Sequence, residues 1–365
     1  YLYMRSFYSD AAISKDAQQA FNYYHNQALK YYSRFNPYLK GMLALALNRM
    51  NEKNTALTIM ASLRETAVHH EEMGMYWKDM PRGYYWYQAP IEAQALLIEA
   101  FHEVAHDNTA IDAMKTWLLK QKQTQYWPST RATADACYAL LLSGSEWLAF
   151  EPDVTIQLGD VKTFNSTEIK TTAGTGYFKG IIEGAMVQPA MGTISVKIQD
   201  KSTSSVPHSV SWGAVYWQYF EDMDKITSVE TPLSLTKQLF IERLTDKGPV
   251  LTAINENNPL KIGDKVKVRL VLKSDREMEF VHLKDSRGAC FEPLDVLSRY
   301  RYQNGVGYYE STKDVSTNFF FDRLPKGTHV LEYTVFVNQK GAFSNGIATV
   351  QCMYAPEFSS HTSGV

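Results

Sequence analysis

The chain has 365 residues, of which 45% are apolar and 13% aromatic; this supplies cores of ordinary size and excludes a disordered chain. Its 37 Lys and Arg against 39 Asp and Glu give a net charge of −2, which offers no field for a polyanion and argues against nucleic acid as a partner. No uninterrupted apolar run approaches the roughly 18–20 residues of a transmembrane helix, and three cysteines, Cys137, Cys290 and Cys352, are too few for a disulfide scaffold.

The length corresponds to roughly two to three domains. Tyr1 in place of methionine implies a chain that begins inside a longer product, so membrane anchoring is expected only through upstream sequence.

The first 147 residues read as helical. Asn36-Pro37 is a cap followed by a proline at the first helical position, and Leu39, Met42, Leu43, Ala46 and Leu47 follow near helical spacing. Its partner opens at Asn54-Thr55-Ala56-Leu57. The same words return as Asn108-Thr109-Ala110-Ile111, where Thr109 and Asp112 are placed as a capping box. A second repetition links Tyr85-Trp86…Ala93-Gln94-Ala95-Leu96 to Tyr126-Trp127…Ala134-Asp135-Ala136-Cys137, offset by 41 residues. A period in the forties is the mark of stacked helical pairs, each burying its apolar face only against its neighbours. The expected helices are about 37–50 with 54–66, 90–105 with 109–121, and 129–142. Cys137, the repeat partner of Leu96, is expected to behave as an apolar helix residue.

Aromatic loops lie between the pairs, from Met75-Tyr76-Trp77 to Tyr84-Tyr85-Trp86-Tyr87. They read either as a platform for sugar or peptide or, more commonly, as rings plugging the hub where helix pairs converge.

After Gly144 the texture turns to strands. Val154–Leu158 and Ile194–Ile198 alternate, and Ser209–Tyr219 is a long β-prone run. A boundary is expected near 225–235. Beyond it Lys265–Leu272 sets Val266, Val268, Leu270 and Leu272 on a core face and Lys265, Lys267 and Arg269 on a wet one. Further strands read as 279–285, 318–321, 330–337 and 348–354, about seven in roughly 130 residues, as in an antiparallel sandwich. Tyr333, Val335 and Val337, with Val350, Cys352 and Tyr354, are expected to line its core. Cys352 is then a buried thiol. A bridge to Cys290 needs Cα atoms within about 7 Å, and nothing in the sequence brings that loop so close to a core strand.

Candidate chemistry is sparse. His102 and His106 stand four apart with Glu99 and Glu103 nearby, but without a third ligand this reads as a solvated polar face. His69-His70-Glu71-Glu72 reads as clustered charge at a helix end. Gly305-x-Gly307 lacks the strand-then-helix setting of a dinucleotide fingerprint. No residue is assigned a catalytic, cofactor-binding or metal-binding role, and no cofactor is expected.

Two stretches carry a resemblance to a known family. Trp127-Pro128-Ser129-Thr130-Arg131-Ala132-Thr133-Ala134 with the helix to Leu141 resembles the last helical repeat of the thioester-type domain of α2-macroglobulins and complement proteins. Leu324-Pro325-Lys326-Gly327-Thr328-His329, Gly341-Ala342-Phe343 and Met353-Tyr354-Ala355-Pro356-Glu357-Phe358 are similar to the closing macroglobulin-like sandwich of the bacterial α2-macroglobulins. The resemblance implies a partial α/α toroid at 1–147, the second half of the β domain hosting that toroid at 148–230, and a C-terminal macroglobulin-like β-sandwich at 231–365.

It also implies a noncatalytic part of a periplasmic or envelope, extracytoplasmic defence protein. Proteinases would be its partners through a bait region outside this chain. The family's reactive thioester joins a Cys to a Gln three residues on; Cys137, Cys290 and Cys352 are followed at that place by Leu140, Pro293 and Ala355. The competing reading is a polysaccharide lyase or glycoside hydrolase, which also joins a toroid to sandwiches but needs paired carboxylates or a Tyr-His-Arg cluster.

Overall fold

The computed structural model describes residues 1–80, 82–142, 153–172, 176–199, 213–223, 225–254 and 258–364. It divides into two compact units, Tyr1–Lys120 with Trp127–Trp212, and Gln121–Tyr126 with Gly213–Val365. Helices come first and antiparallel sheets follow.

In the first unit a short helix α1 (Leu2–Arg5) and α2 (Lys15–Tyr31) precede α3 (Pro37–Arg49) and α4 (Lys53–Thr66). Asn36 caps α3 by accepting from the Leu39 amide at 2.9 Å, with Pro37 at the first position as expected. Asn51, at φ +70°, turns the chain back within three residues, so α4 returns against α3. A hairpin of β1 (Val68–His70) and β2 (Gly74–Tyr76) leads to α5 (Pro90–Ala100). This helix buries Ile91, Ala93, Ala95, Leu97, Ile98 and Ala100, covering almost its whole circumference, because α3 lies on one side and α7 (Thr130–Leu142) on another.

At Phe101–Ala105 the helix widens into one π turn, which His106 ends at φ +50°. The cap of α6 (Asn108–Thr124) therefore falls early: Asp107 Oδ1 accepts from the Ala110 amide at 3.1 Å, in place of the box expected at Thr109 and Asp112. The core of this unit joins α3, α4, α5, α6 and α7 through Leu45, Ile59, Leu63, Leu97, Met114 and Ala136.

The same unit holds a three-stranded antiparallel sheet, β4-β3-β5, of β3 (Asp153–Leu158), β4 (Lys162–Asn165) and β5 (Ile194–Gln199). The expected change of texture at Gly144 and the stretch Ser209–Trp212 lie outside the described residues. Gly213–Tyr219 is described and forms no strand. Val215, Tyr216, Trp217 and Tyr219 are exposed there, so β propensity has no apolar surface to act against.

The second unit is a sandwich. One sheet runs β10-β14-β8-β6-β7 and the other β11-β12-β13-β9-β15-β16. The strands are β6 (Leu233–Thr245), β7 (Gly248–Ala253), β8 (Lys265–Ser274), β9 (Met278–Ser286), β10 (Phe291–Pro293), β11 (Arg299–Gln303), β12 (Val306–Thr312), β13 (Ser316–Leu324), β14 (Gly327–Val337), β15 (Ala348–Cys352) and β16 (Ala355–His361). All these pairings are antiparallel.

The inner row Val266, Val268, Leu270 and Leu272 of β8 is buried as expected. Its outer row is not simply wet. Lys265 and Lys267 reach Glu242 at 2.5 and 3.2 Å and Arg269 reaches Glu332 at 2.6 Å, a ladder of charges across neighbouring strands. Tyr333, Val335, Val337, Val350 and Cys352 enter the core, but Tyr354 is 80% exposed. The register shifts between Gln351 and Cys352 and β15 ends there, which turns Tyr354 out against Phe280 and gives the inner place to Ala355.

Candidate functional site

The aromatic loops divide between their two readings. Met75, Trp77 and Met80 are buried, with Trp77 Nε1 donating to the Leu63 carbonyl at 2.9 Å and its ring tilted on Phe101. Gln94 donates to the Met75 and Met114 carbonyls and locks this plug from α5. Tyr84, Tyr85 and Trp86 stand in solvent; Tyr85 stacks on Tyr87 and Trp86 meets Tyr38 edge-on at 5.9 Å.

Beside Trp86 the first turns of α3, α5 and α7 converge. Tyr38 is buried and its hydroxyl accepts from Arg131 Nη2 at 3.1 Å; burial pushes its pKa up. Ser129 Oγ caps α7 by accepting from the Ala132 amide at 2.9 Å and donates to Glu92 Oε1 at 3.4 Å. Glu92 is 8% exposed and its Oε2 has no hydrogen-bond partner. Its place in the first turn of α5 lets the helix field offset part of the cost of that burial. These contacts fix three helix ends to one another. A tyrosine, an arginine and a carboxylate meet here without the arrangement of a Tyr-His-Arg centre.

Glu99 and Glu103 do not form a loose solvated face. Arg49 reaches Glu99 at 2.9 Å and Glu103 at 2.5 Å, tying α3 to the end of α5, while His106 makes the left-handed turn. No group of three or more metal-ligating side chains occurs among the described residues. His70 Nδ1 accepts from the amides of Glu72 and Met73 and shapes the β1–β2 turn. Asn304-Gly305, at φ +53° and +82°, forms the tight turn from β11 to β12, which is the role of Gly305, while Gly307 lies within β12 opposite Tyr302.

The second polar centre lies inside the sandwich. Lys237 on β6 places Nζ 2.6 Å from Asp285 Oδ1 on β9, across the two sheets, and donates to the Ser286 and Gly346 carbonyls at 2.8 and 2.9 Å. Tyr333 on β14 donates to Asp285 Oδ2 at 2.6 Å. The two charged side chains are 4% and 0% exposed. Burial lowers the lysine pKa and raises that of the aspartate, so both are pushed toward their neutral forms. Next to them Arg287 donates to the carbonyls of Lys313, Asp314 and Ser316 and to Thr317 Oγ1, clamping the turn from β12 to β13.

Sequence reasoning passed over this centre, although its signal was visible. Lys237 is in phase with Leu233, Leu235, Leu239 and Ile241, and Asp285 with Val281 and Leu283, so each charge sits in an apolar row.

Comparison with curated proteins finds no match. Among solved structures the chain is similar to trypsin-activated alpha-2-macroglobulin from Escherichia coli, at 11% identity and TM-score 0.39, over 93% of this chain and 22% of that one. It is similar to Salmonella alpha-2-macroglobulin reacted with methylamine at 14% identity and TM-score 0.29, over 93% of this chain and 20% of that one. For the native Escherichia coli protein from domain MG7 to the C-terminus, the values are 11% and 0.29, over 93% and 50%. The chain thus spans about a fifth to a half of the length of these proteins. Residues 233–357, which are the sandwich just described, match the family model of the bacterial alpha-2-macroglobulin MG10 domain. It is therefore the sandwich, and not the whole chain, that is similar to a bacterial alpha-2-macroglobulin domain.

Proposed function

We propose that this chain is a noncatalytic, C-terminal part of a bacterial alpha-2-macroglobulin-like protein that traps proteinases at the cell envelope. The observation that carries the reading is the MG10 match over 233–357. The order of helices then sandwich supports it. In this reading residues 1–147 belong to a thioester-domain-like toroid, 148–230 to the β domain that hosts it, and 231–365 to the closing sandwich. Cleavage and capture would reside in a bait region outside this chain. Among the described residues no helix is long and apolar enough to cross a membrane, so attachment to the envelope would rest on sequence outside this chain.

The test uses the full-length protein incubated with proteinases of different specificity. Trapping predicts that proteinase co-elutes with the protein, still cleaves a small chromogenic peptide, and no longer digests a large substrate. Proteinase that elutes free and fully active on large substrates refutes the reading. Fractionation of the source cells should find the protein outside the cytoplasm.

A further inference from the structure

We propose that Lys237 and Asp285 join in an intramolecular isopeptide bond that covalently staples the two sheets of the sandwich. The reacting groups are already placed. Nζ stands 2.6 Å from Oδ1, both side chains are out of water, and the pair bridges β6 of one sheet and β9 of the other.

The other contacts of Nζ orient it. A neutral amine has two N–H bonds and one lone pair in tetrahedral arrangement. The carbonyls of Ser286 and Gly346 accept two of the lysine's N–H groups, so the third tetrahedral direction, aimed at the carboxyl group, becomes the lone pair when that proton leaves. The placing of the Gly346 carbonyl depends on a close approach. A Cβ at this glycine would lie 2.4 Å from Ser286 Cβ, so a larger residue would push the acceptor away. Tyr333 donates to the other carboxyl oxygen, Oδ2, where negative charge grows during attack on the carboxyl carbon.

The bond requires no external reagent. Nζ of the ammonium passes a proton to Oδ1, giving an amine and a carboxylic acid. The amine attacks Cγ and forms the C–N bond; the C–Oδ1 bond breaks, and Oδ1 departs with its proton and one from the nitrogen as a water molecule. Oδ2 becomes the amide oxygen held by Tyr333, and the nitrogen keeps one N–H for a backbone carbonyl. The opposite charges vanish together. Burial favours the first proton transfer, since it disfavours both ions.

The experiment is intact-mass measurement on the purified chain, denatured and reduced, with tandem mass spectrometry of its peptides. The expected result is a mass one water below that of the sequence and a branched peptide joining the segment around Lys237 to that around Asp285. A chain at its full sequence mass with the two peptides separate overturns the proposal and leaves an ordinary ion pair. Water can also be lost by cyclisation of Asp285 onto the Ser286 amide. Lys237→Arg separates the two: the staple predicts the full mass in this variant, and water loss that survives the substitution refutes it. The readout is covalent and is taken on denatured protein, so it does not depend on the variant being stable.

Discussion

Cys352 is 1% exposed and its Sγ donates to the Glu279 carbonyl at 3.4 Å, while Cys290 is buried and unbridged. Cys352→Ala is expected to cost about 1 kcal/mol through lost apolar burial, against the roughly 2–5 kcal/mol of a lost disulfide. Thiol titration should count one reactive group in the native chain and all three after denaturation; two groups missing after denaturation would mean a bridge. The accessible thiol is Cys137. Its sequence-based placing as an apolar residue fails because α7 buries Ala132, Ala136 and Ala139, and Cys137 lies off that stripe. Buried Cys352 was legible from strand alternation, whereas a helix face depends on which neighbours surround it.

Glu242 illustrates a charge whose worth changes with pH. Its hydrogen bond from Lys265, helped by Lys267, holds its pKa below the ordinary 4.5. Unfolding thus raises this pKa. The contribution of the group is full above the ordinary value and disappears as pH falls through the lower, folded one. Urea melts of wild type and Glu242→Gln, from neutral pH down to about 3, should show a stability gap that is constant at first and closes on acidification. A gap that widens on acidification would contradict this account.

At the scale of elements, α3 and α5 meet through Gly41. A Cβ there would lie 2.8 Å from Leu97 Cδ2 and 3.0 Å from Leu96 Cδ2, and Leu97 is fully buried. Alanine raises helix propensity by about 1 kcal/mol over glycine, yet overpacking costs about 1–3. Gly41→Ala is therefore expected to lower stability by up to about 2 kcal/mol, and a rise in the melting temperature would show that the contact is slack. In the sandwich, Leu270→Ala removes a fully buried side chain between β6 and β14 and should cost about 2–5 kcal/mol in denaturant melts.

The helices from α3 to α7 were readable to within about three residues because caps such as Asn36-Pro37 and the repeated apolar spacing are local signals; α2 was not named, since only Ala28 of its 17 residues is buried and its sequence carries little apolar pattern. Strand β8 was readable for the same reason. Strand β6 was not, since Lys237 interrupts its apolar row. Strand β11 was passed over because Tyr300 and Tyr302 face solvent on an edge strand, where little burial imposes a pattern, and β12 because the buried Glu310 interrupts the inner row of Val306 and Tyr308. The turn between them was announced by Asn304-Gly305. Of the polar centres, Glu92 with Arg131 depends on helix ends far apart in sequence, which no local pattern reports.

At the scale of the whole molecule, the helical and sandwich cores are separate clusters. A fragment of residues 1–142 is expected to give a helical circular dichroism spectrum, and one of residues 226–364 a β spectrum; strand signal from the first would refute the division. The absence of a Gln three residues after any cysteine predicts that the chain takes up no methylamine, and a methylamide found on a glutamine-derived side chain, with a cysteine thiol released, would contradict this.

One small feature of the sandwich bears on how it responds to load. Val229 and His361 exchange backbone hydrogen bonds, and the Gly364 amide donates to the Ile226 carbonyl at 2.9 Å. The segments at 226–229 and 361–364 therefore lie side by side. Tension applied through residues 226 and 364 would peel these bonds one after another, like a zipper, instead of shearing a row of them at once. The seam between Val229 and His361 should then yield at low force while the strands behind it hold, giving the unit a short compliant step before its main rupture in a pulling experiment.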